Sequence, residues 1–205
     1  LSPWSWEKLL YLRPAFQSVL DRHLRQHEYD AVVCEFMFMA SYRFSTGTRQ
    51  RNRPHLVLDE HNVEYDLLRR TAEAAEVSRR AFQELNWRKL QREEIAIWRR
   101  FDACALTSTR DQEFVRREAP ELRTEVVPNG VDIETFVPSP STVVDEKTLL
   151  FFGAINYFPN TDGALYFVRE ILPLVRALDP SVVLRIVGPG AEGPVIARNE
   201  PVLST

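Results

Sequence analysis

Short runs of continuously apolar residues, many of them β-branched, recur along this chain and alternate with stretches of helical periodicity. Strands that read as unbroken apolar runs are typical of parallel sheets covered by helices on both faces. The sequence therefore predicts an α/β protein with parallel sheets. The predicted strands are residues 29–35, 55–60, 103–107, 125–127, 148–152 and 182–187.

The intervening segments repeat apolar side chains near every 3.6 positions, as amphipathic helices do. Pro14 marks a kink in the first of these helices, since an interior proline removes a backbone hydrogen bond. The predicted helices are residues 5–27, 36–44, 64–71, 77–100, 110–117 and 159–178.

The chain changes character near its middle. Pro128-Asn129-Gly130 is a turn signal, and a proline- and serine-rich stretch follows at 137–141. We therefore predict a first domain over residues 1–137 and the start of a second over 138–205. The second part contains one strand–helix–strand unit, for which a right-handed crossover is expected.

Composition excludes several classes of protein. Of 205 residues, 44% are hydrophobic and 27% charged, which is ordinary for a folded water-soluble domain. The net charge of -3 argues against a general nucleic-acid binder. Cys34 and Cys104 cannot form a disulfide framework, and because each falls in a predicted strand we expect buried, inert thiols. The chain begins at Leu1 and has no glycine before Gly47, so we expect a segment of a longer protein.

Asp59-Glu60-His61-Asn62 follows a predicted strand and is the strongest local signal for chemistry. Ligands of open α/β sheets gather beyond the carboxyl ends of the strands. An imidazole there can donate or accept a hydrogen bond near neutral pH. A histidine that caps the next helix, or bonds to a neighbouring carbonyl, is the alternative explanation.

A second signal runs from Gly153 to Asn160, where a strand ends and a helix is predicted to begin at Pro159. Free N–H groups at such a helix start attract phosphate, and a glycine lets backbone approach a ligand closely. An ordinary capped loop is the alternative.

Two further motifs lack the neighbouring residues that a binding site of their type would need. Residues 188–193 spell G-x-G-x-x-G, the dinucleotide fingerprint, but Pro194 follows directly and no ribose-binding acid is within reach. His23 and His27 have a zinc-compatible spacing, yet no third ligand is evident, so we expect solvated side chains.

Residues 69–100 carry nine basic and five acidic side chains. A basic helix of this kind, with Trp87 and Trp98, can rest on an anionic membrane surface. Pairs such as Glu84–Arg88, four residues apart, favour a solvated helix instead.

Val127-Pro128-Asn129-Gly130-Val131-Asp132, followed by Phe136, resembles the interdomain signature of retaining glycosyltransferases of family 4, which have the GT-B fold. Residues 149–190 are similar to the start of that family's nucleotide-sugar domain, especially in bacterial exopolysaccharide-type sugar transferases. Residues 59–62 match the place where the family offers a histidine to its cleft.

The resemblance implies two Rossmann-like domains, here a partial GT-B fold. It implies transfer of a sugar, with retention, from a nucleotide-diphosphate sugar to a glycan or lipid-linked acceptor. Neither a cofactor nor a metal is expected. The protein would be cytoplasmic, with peripheral contact at the inner membrane face through residues 69–100. His61 would be catalytic; substrate contacts would come from Asn62, Glu35, Gly153, Asn156 and Asn160; and Asn129 and Gly130 would form the hinge.

Many family members place arginine and lysine just after the strand-end glycine, where this chain has Ala154, Asn156 and Asn160. Pyrophosphate binding by this loop would then rest on dipoles alone. Because the family's first glycine-rich loop and its paired glutamates should lie outside residues 1–205, we expect these residues by themselves not to turn over substrate.

Other functions remain open at this point. A GT-B-like sugar-nucleotide epimerase would need acid and base carboxylates, for which Glu35 and Glu60 are candidates. A nicotinamide oxidoreductase would use residues 188–193. A non-catalytic α/β binding domain would keep the fold alone.

Overall fold

The structure is a computed structural model that describes residues 2–45, 53–73, 77–137 and 145–190. It divides into two compact units, Leu1–Asp132 (unit 1) and Ile133–Thr205 (unit 2).

Unit 1 is built on a four-stranded parallel sheet in the order β1-β2-β3-β4. The predicted α/β class with parallel strands is confirmed. All four strands lie within two residues of the predicted positions, because an unbroken apolar run marks a covered strand clearly. They are β1 (Ala31–Glu35), β2 (His55–Glu60), β3 (Ala103–Leu106) and β4 (Arg123–Val126).

Five α-helices are described in unit 1. The predicted single helix 5–27 is wrong in detail, since it is two helices with a break at Leu12 and Arg13. Pro14 begins the second helix, where its missing N–H costs nothing, so the expected kink is a full break. The helices are α1 (Trp6–Tyr11), α2 (Pro14–Gln26), α3 (Glu64–Glu73), α4 (Val77–Trp98) and α5 (Thr109–Glu118).

The predicted helix 36–44 is also wrong, because only a short 3₁₀ turn forms at Met39–Ser41. Phe36 adopts φ +76°, which no right-handed helix allows. The chain turns sharply there and buries Met37 and Phe38 against the sheet.

The core of unit 1 lies between this sheet and its helices. From α4 come Leu90, Ile97 and Trp98, and from the strands Leu58 and Leu106, all at most 4% exposed. The buried side chains of α4 thus pack in one cluster with those of the strands.

Unit 2 is described as a parallel pair, β5 (Thr148–Phe152) and β6 (Val183–Val187), joined by helical residues. Helix α6 (Phe158–Tyr166) continues through a π-helical turn, Phe167–Ile171, into α7 (Leu172–Leu178). Pro173 lacks an N–H for the carbonyl four residues earlier, and the wider turn accommodates that loss. The predicted helix 159–178 is therefore correct in extent but not uniform.

Candidate functional site

The carboxyl ends of the four parallel strands of unit 1 meet at one edge of the sheet. Glu35 ends β1 and pairs in register with Asp59 of β2. His61 directly follows β2, and Thr107 follows β3. The structure therefore brings the predicted residues Glu35 and His61 to neighbouring positions on this edge.

The His61 side chain is partly exposed, at 44%. Its ring contacts Phe36 edge to face, with centroids 5.3 Å apart. Its Nε2 lies 4.0 Å from Oδ2 of Asp59. The Thr107 hydroxyl donates a 3.0 Å hydrogen bond to the His61 carbonyl, which ties the loop to β3. The imidazole is thus held on one side and open on the other, as a ligand-contacting group requires.

Phe36, which supports His61, has the one positive φ among the described non-glycine residues. Its N–H donates a 2.9 Å bond to the Asp59 carbonyl, which fixes the turn against β2. A residue held in this region costs about 1–3 kcal/mol, and such strain clusters at functional sites. The strained turn next to His61 supports the choice of this edge as the site.

Helix α3 starts just after His61 and is capped from elsewhere in the fold. The Glu94 carboxylate, on α4, accepts 2.8 Å hydrogen bonds from the N–H groups of Glu64 and Tyr65. It satisfies two of the donors that a helix start leaves unpaired. Glu94 is not among the residues predicted from the sequence, although it lies four residues from both Leu90 and Trp98 and so falls on the buried stripe of its helix.

Glu60 precedes His61 but points into the core, where it is 1% exposed. Its Oε2 accepts a 2.9 Å bond from the indole N–H of Trp98. Its Oε1 has no well-oriented hydrogen-bond partner among the described residues, although the carboxyl interacts with that of Glu94. Burial raises the pKa of Glu60, and burial together with the repulsion from Glu60 raises that of Glu94. A proton retained by this pair would supply the bond that Oε1 lacks.

Asn62 is exposed beside His61 and forms a side-chain hydrogen bond with Glu64. Further along α3, buried Asp66 forms ion pairs with Arg69, Arg70 and Arg110. Burial opposes ionisation of Asp66, but the hydrogen bonds from Arg110 and Arg69 outweigh it and lower its pKa. These bonds tie α3 to the start of α5, so the elements flanking the His61 loop are fixed to each other.

In unit 2 the predicted loop follows β5 as expected. The Asn160 side chain donates a 3.1 Å bond to the Ala154 carbonyl and closes the loop on itself. A side chain on Gly153 would approach Asn160 Nδ2 to 3.1 Å. The structure thus brings Gly153 and Asn160 together, with Asn156 exposed between them.

Gly188 and Gly190 pack against this loop and account for part of the dinucleotide-like pattern. Gly188 has φ +137°, and a Cβ there would lie 1.9 Å from the Gly153 carbonyl oxygen. Gly190 has φ +85°, and a Cβ would lie 2.8 Å from the Asn156 nitrogen. Close backbone packing alone explains these two glycines; residues 191–193 of the pattern lie outside the described residues.

Most backbone donors of the loop are occupied by this packing. The N–H groups of Ile155 and Asn156 both donate to the Pro189 carbonyl, at 2.8 and 3.2 Å. The Gly153 N–H donates to Val187. Contact between this loop and a pyrophosphate therefore stays a prediction, for which the Ala154 N–H is one donor without a backbone acceptor among the described residues.

A family model described as Glycosyltransferase Family 4 matches residues 1–135. The chain belongs to Glycosyltransferase Family 4. The match covers all of unit 1 and therefore includes Glu35, His61 and Asn62. No curated protein is significantly similar to the chain.

Asn129 and Gly130, the predicted hinge of this family 4 chain, are exposed and lie outside helices and strands, close to the point where unit 1 ends. Nothing lies within 4 Å of a Cβ placed on Gly130. Their role as a hinge remains a prediction.

The remaining predictions concern residues away from the site. Cys34 and Cys104 are buried, as predicted, and burial raises both thiol pKa values, to about 12 for Cys34. His23 and His27 are exposed, with ring centroids 5.6 Å apart. Across the ranges that the structure describes, no group of three or more His, Cys, Asp or Glu side chains is arranged for a metal. No described helix has the length and apolarity to cross a membrane.

Proposed function

We propose that this family 4 chain is part of a glycosyltransferase that moves a sugar from a nucleotide-diphosphate sugar to a glycan or lipid-linked acceptor. In this proposal the anomeric configuration is retained, the whole enzyme has the GT-B fold, and no metal takes part. Membership of Glycosyltransferase Family 4 supports sugar transfer in general. The type of donor and acceptor, the retained configuration, the GT-B fold and the absence of a metal rest on the resemblance of residues 127–136 and 149–190 to the patterns of this family.

The observation that carries the proposal is the placement of His61. It lies at the carboxyl edge of a parallel sheet, partly exposed, next to the strained Phe36 turn. A ring in this place can donate a hydrogen bond to a hydroxyl of the reacting sugar or to the departing phosphate. Such a bond accelerates transfer if it strengthens as charge develops.

The other predicted residues have supporting roles in the proposal. Asn62 and Glu35, exposed at the same edge, would bind hydroxyl groups of the acceptor or the sugar. Gly153, Asn156 and Asn160 would contact the donor, and bending at Asn129 and Gly130 would bring donor and acceptor together.

The epimerase alternative receives no support from Glu60. Its carboxyl is buried against Trp98 and Glu94, where a substrate cannot reach it. Glu35 alone would have to act as both acid and base.

The proposal is tested on the complete protein by first screening UDP-, GDP- and ADP-sugars against nicotinamide cofactors for thermal stabilisation, which rises with ligand affinity. With the best donor, His61→Ala should lower release of the nucleoside diphosphate about 100-fold, the typical effect of losing one aimed hydrogen-bond donor.

His55→Ala is the matched control, because His55 is exposed at the opposite end of the same strand. It should leave turnover unchanged. Unchanged turnover in His61→Ala would remove His61 from the reaction, and stabilisation by nicotinamide cofactors alone would argue against sugar transfer.

A further inference from the structure

A cavity of about 280 Å³ lies in unit 1 between the N-terminal segment and α4. This volume accommodates several water molecules, each of which occupies about 30 Å³ in the liquid. None of the residues at the sheet edge, such as Glu35 or His61, lines it. Its polar lining consists of Lys8, Ser41, Lys89, Arg92, Glu93 and Arg100, with Trp4 at its side.

The charge of this lining is strongly unbalanced, with four cations and one carboxylate. Both oxygens of that carboxylate, Glu93, are already used. Oε1 accepts a 3.0 Å bond from the Ser5 N–H, and Oε2 a 2.5 Å bond from the Ser5 hydroxyl. Glu93 therefore anchors the start of α1 and leaves the four cations without a hydrogen-bonded counterion.

None of these cations forms an ion pair within the described ranges. Lys89 donates to the Ser2 carbonyl, and Arg100 to the carbonyls of Ala40 and Tyr42. Lys8 stacks over the Trp4 ring at 3.7 Å. The Arg92 side chain has no hydrogen bond to any described residue.

Several other cations of unit 1 are paired with carboxylates, although exposed arginines such as Arg22 and Arg79 are not paired with any described carboxylate. Of those described, Arg53, Arg69, Arg88 and Arg110 each contact a carboxylate within 3 Å. What distinguishes Lys8, Lys89, Arg92 and Arg100 is that all four line the same cavity, with a single carboxylate among them. Such a concentration is the pattern expected of a site for an anion.

Two details of the lining point the same way. Burial lowers the pKa of Lys8, with Glu93 opposing and Arg100 reinforcing that effect, so a bound anion would relieve the repulsion. The Ser41 hydroxyl oxygen is buried in the lining with no hydrogen-bond partner among the described residues. A hydroxyl of this kind can donate to an anion's oxygen.

We propose that this cavity binds the phosphate group of an anionic ligand, at a site separate from the His61 edge. Arg92 and Arg100 offer the planar donors that match phosphate oxygens, and Lys8 and Lys89 add point charges. The phosphate can belong to a membrane lipid headgroup or to a soluble phosphate compound. Exposed Trp4 and Trp6, at 47% and 55%, are suited to the membrane interface and favour the lipid source.

The test compares Arg92→Gln with Arg88→Gln in the complete protein. Both changes remove one arginine charge from exposed positions of α4, but Arg88 pairs with Glu84 and does not line the cavity. One arm titrates inorganic phosphate at constant ionic strength and follows the Trp4 indole N–H by NMR. The other measures co-sedimentation with phosphatidylglycerol-containing vesicles and with phosphatidylcholine vesicles.

Arg92→Gln should weaken binding about tenfold, the usual effect of losing a charge-assisted hydrogen bond, while Arg88→Gln binds as the wild type does. If Arg92→Gln weakens binding only to phosphatidylglycerol-containing vesicles, the phosphate belongs to a lipid headgroup. If it weakens binding of inorganic phosphate, the phosphate belongs to a soluble compound. Binding of neither probe, unchanged binding in Arg92→Gln, or equal losses in the two variants would overturn the proposal. Since sugar transfer is not measured, these outcomes are independent of the proposed transferase activity.

Discussion

At the scale of single residues, the carboxyl pair of Glu60 and Glu94 is the least expected feature of the protein. Both are at most 1% exposed, next to the apolar side chains of the core. Glu94 holds the start of α3, and Glu60 holds the Trp98 indole. A buried carboxyl is costly when ionised, so retention of a proton follows from its location.

This pair predicts how the stability of unit 1 depends on pH. The folded pKa of Glu60, about 8, lies above the unfolded value near 4.5. Its contribution to stability is therefore fully present below about pH 4.5 and is lost as pH rises through about 8. Each pH unit in this window should lower the free energy of unfolding by up to about 1.4 kcal/mol.

The Glu60→Gln variant tests this pH dependence of stability, because glutamine can accept the hydrogen bond from Trp98 but has no carboxyl proton to lose. Urea unfolding followed by tryptophan fluorescence reports on unit 1, which contains all four tryptophans. The stability of Glu60→Gln relative to wild type should rise steadily between pH 4.5 and 8. Glu84→Gln is the control, because the bond to Trp87 lowers the pKa of Glu84. Its free energy of unfolding should differ from that of the wild type by a constant amount over this pH range. A constant difference for Glu60→Gln as well would refute the retained proton.

At the scale of elements, strand ends in both units are fixed by contacts between chain segments distant in sequence. In unit 2 the end of β6 supports the loop after β5, through Gly188 and Gly190. This contact fixes the loop that carries Gly153 and Asn160. The stability of this contact decides how rigidly the loop after β5 is held.

Gly188→Ala should therefore destabilise unit 2. Its backbone conformation costs a non-glycine residue about 1–3 kcal/mol, and the overlap with the Gly153 carbonyl adds about 1–3 kcal/mol. Hydrogen exchange of the β5 and β6 amides measures the effect. Gly163→Ala, at a helical position with nothing within 4 Å of the new Cβ, should instead leave protection equal or slightly higher. Equal protection in both variants would show that the close packing at Gly188 is absent.

The sequence predicts elements better than it predicts their junctions. Strands such as β2 and β5 were located to the residue because their apolar runs are continuous. The segment after β1 was wrongly predicted as a helix. The positive φ at Phe36 arises from packing and from its bond to Asp59, which local propensity does not reveal. His61 and Glu35 were found as strand-end residues, whereas the capping by Glu94 depends on a partner about 30 residues away in sequence.

At the scale of the whole molecule, family membership and the geometry of unit 1 agree. The family 4 match covers the four-stranded sheet whose edge carries His61. Unit 2 contributes a tightly packed strand–loop–helix start. The proposed sugar transfer would use both units, and the proposed phosphate site is separate from the His61 edge.

The most direct measurement is the anomeric configuration of the product that the complete protein forms from an α-linked nucleotide-diphosphate sugar, read from its anomeric proton coupling by NMR. We expect an α-linked product, formed without added metal. A β-linked product, or no transfer from any nucleotide-diphosphate sugar that stabilises the protein, would contradict it.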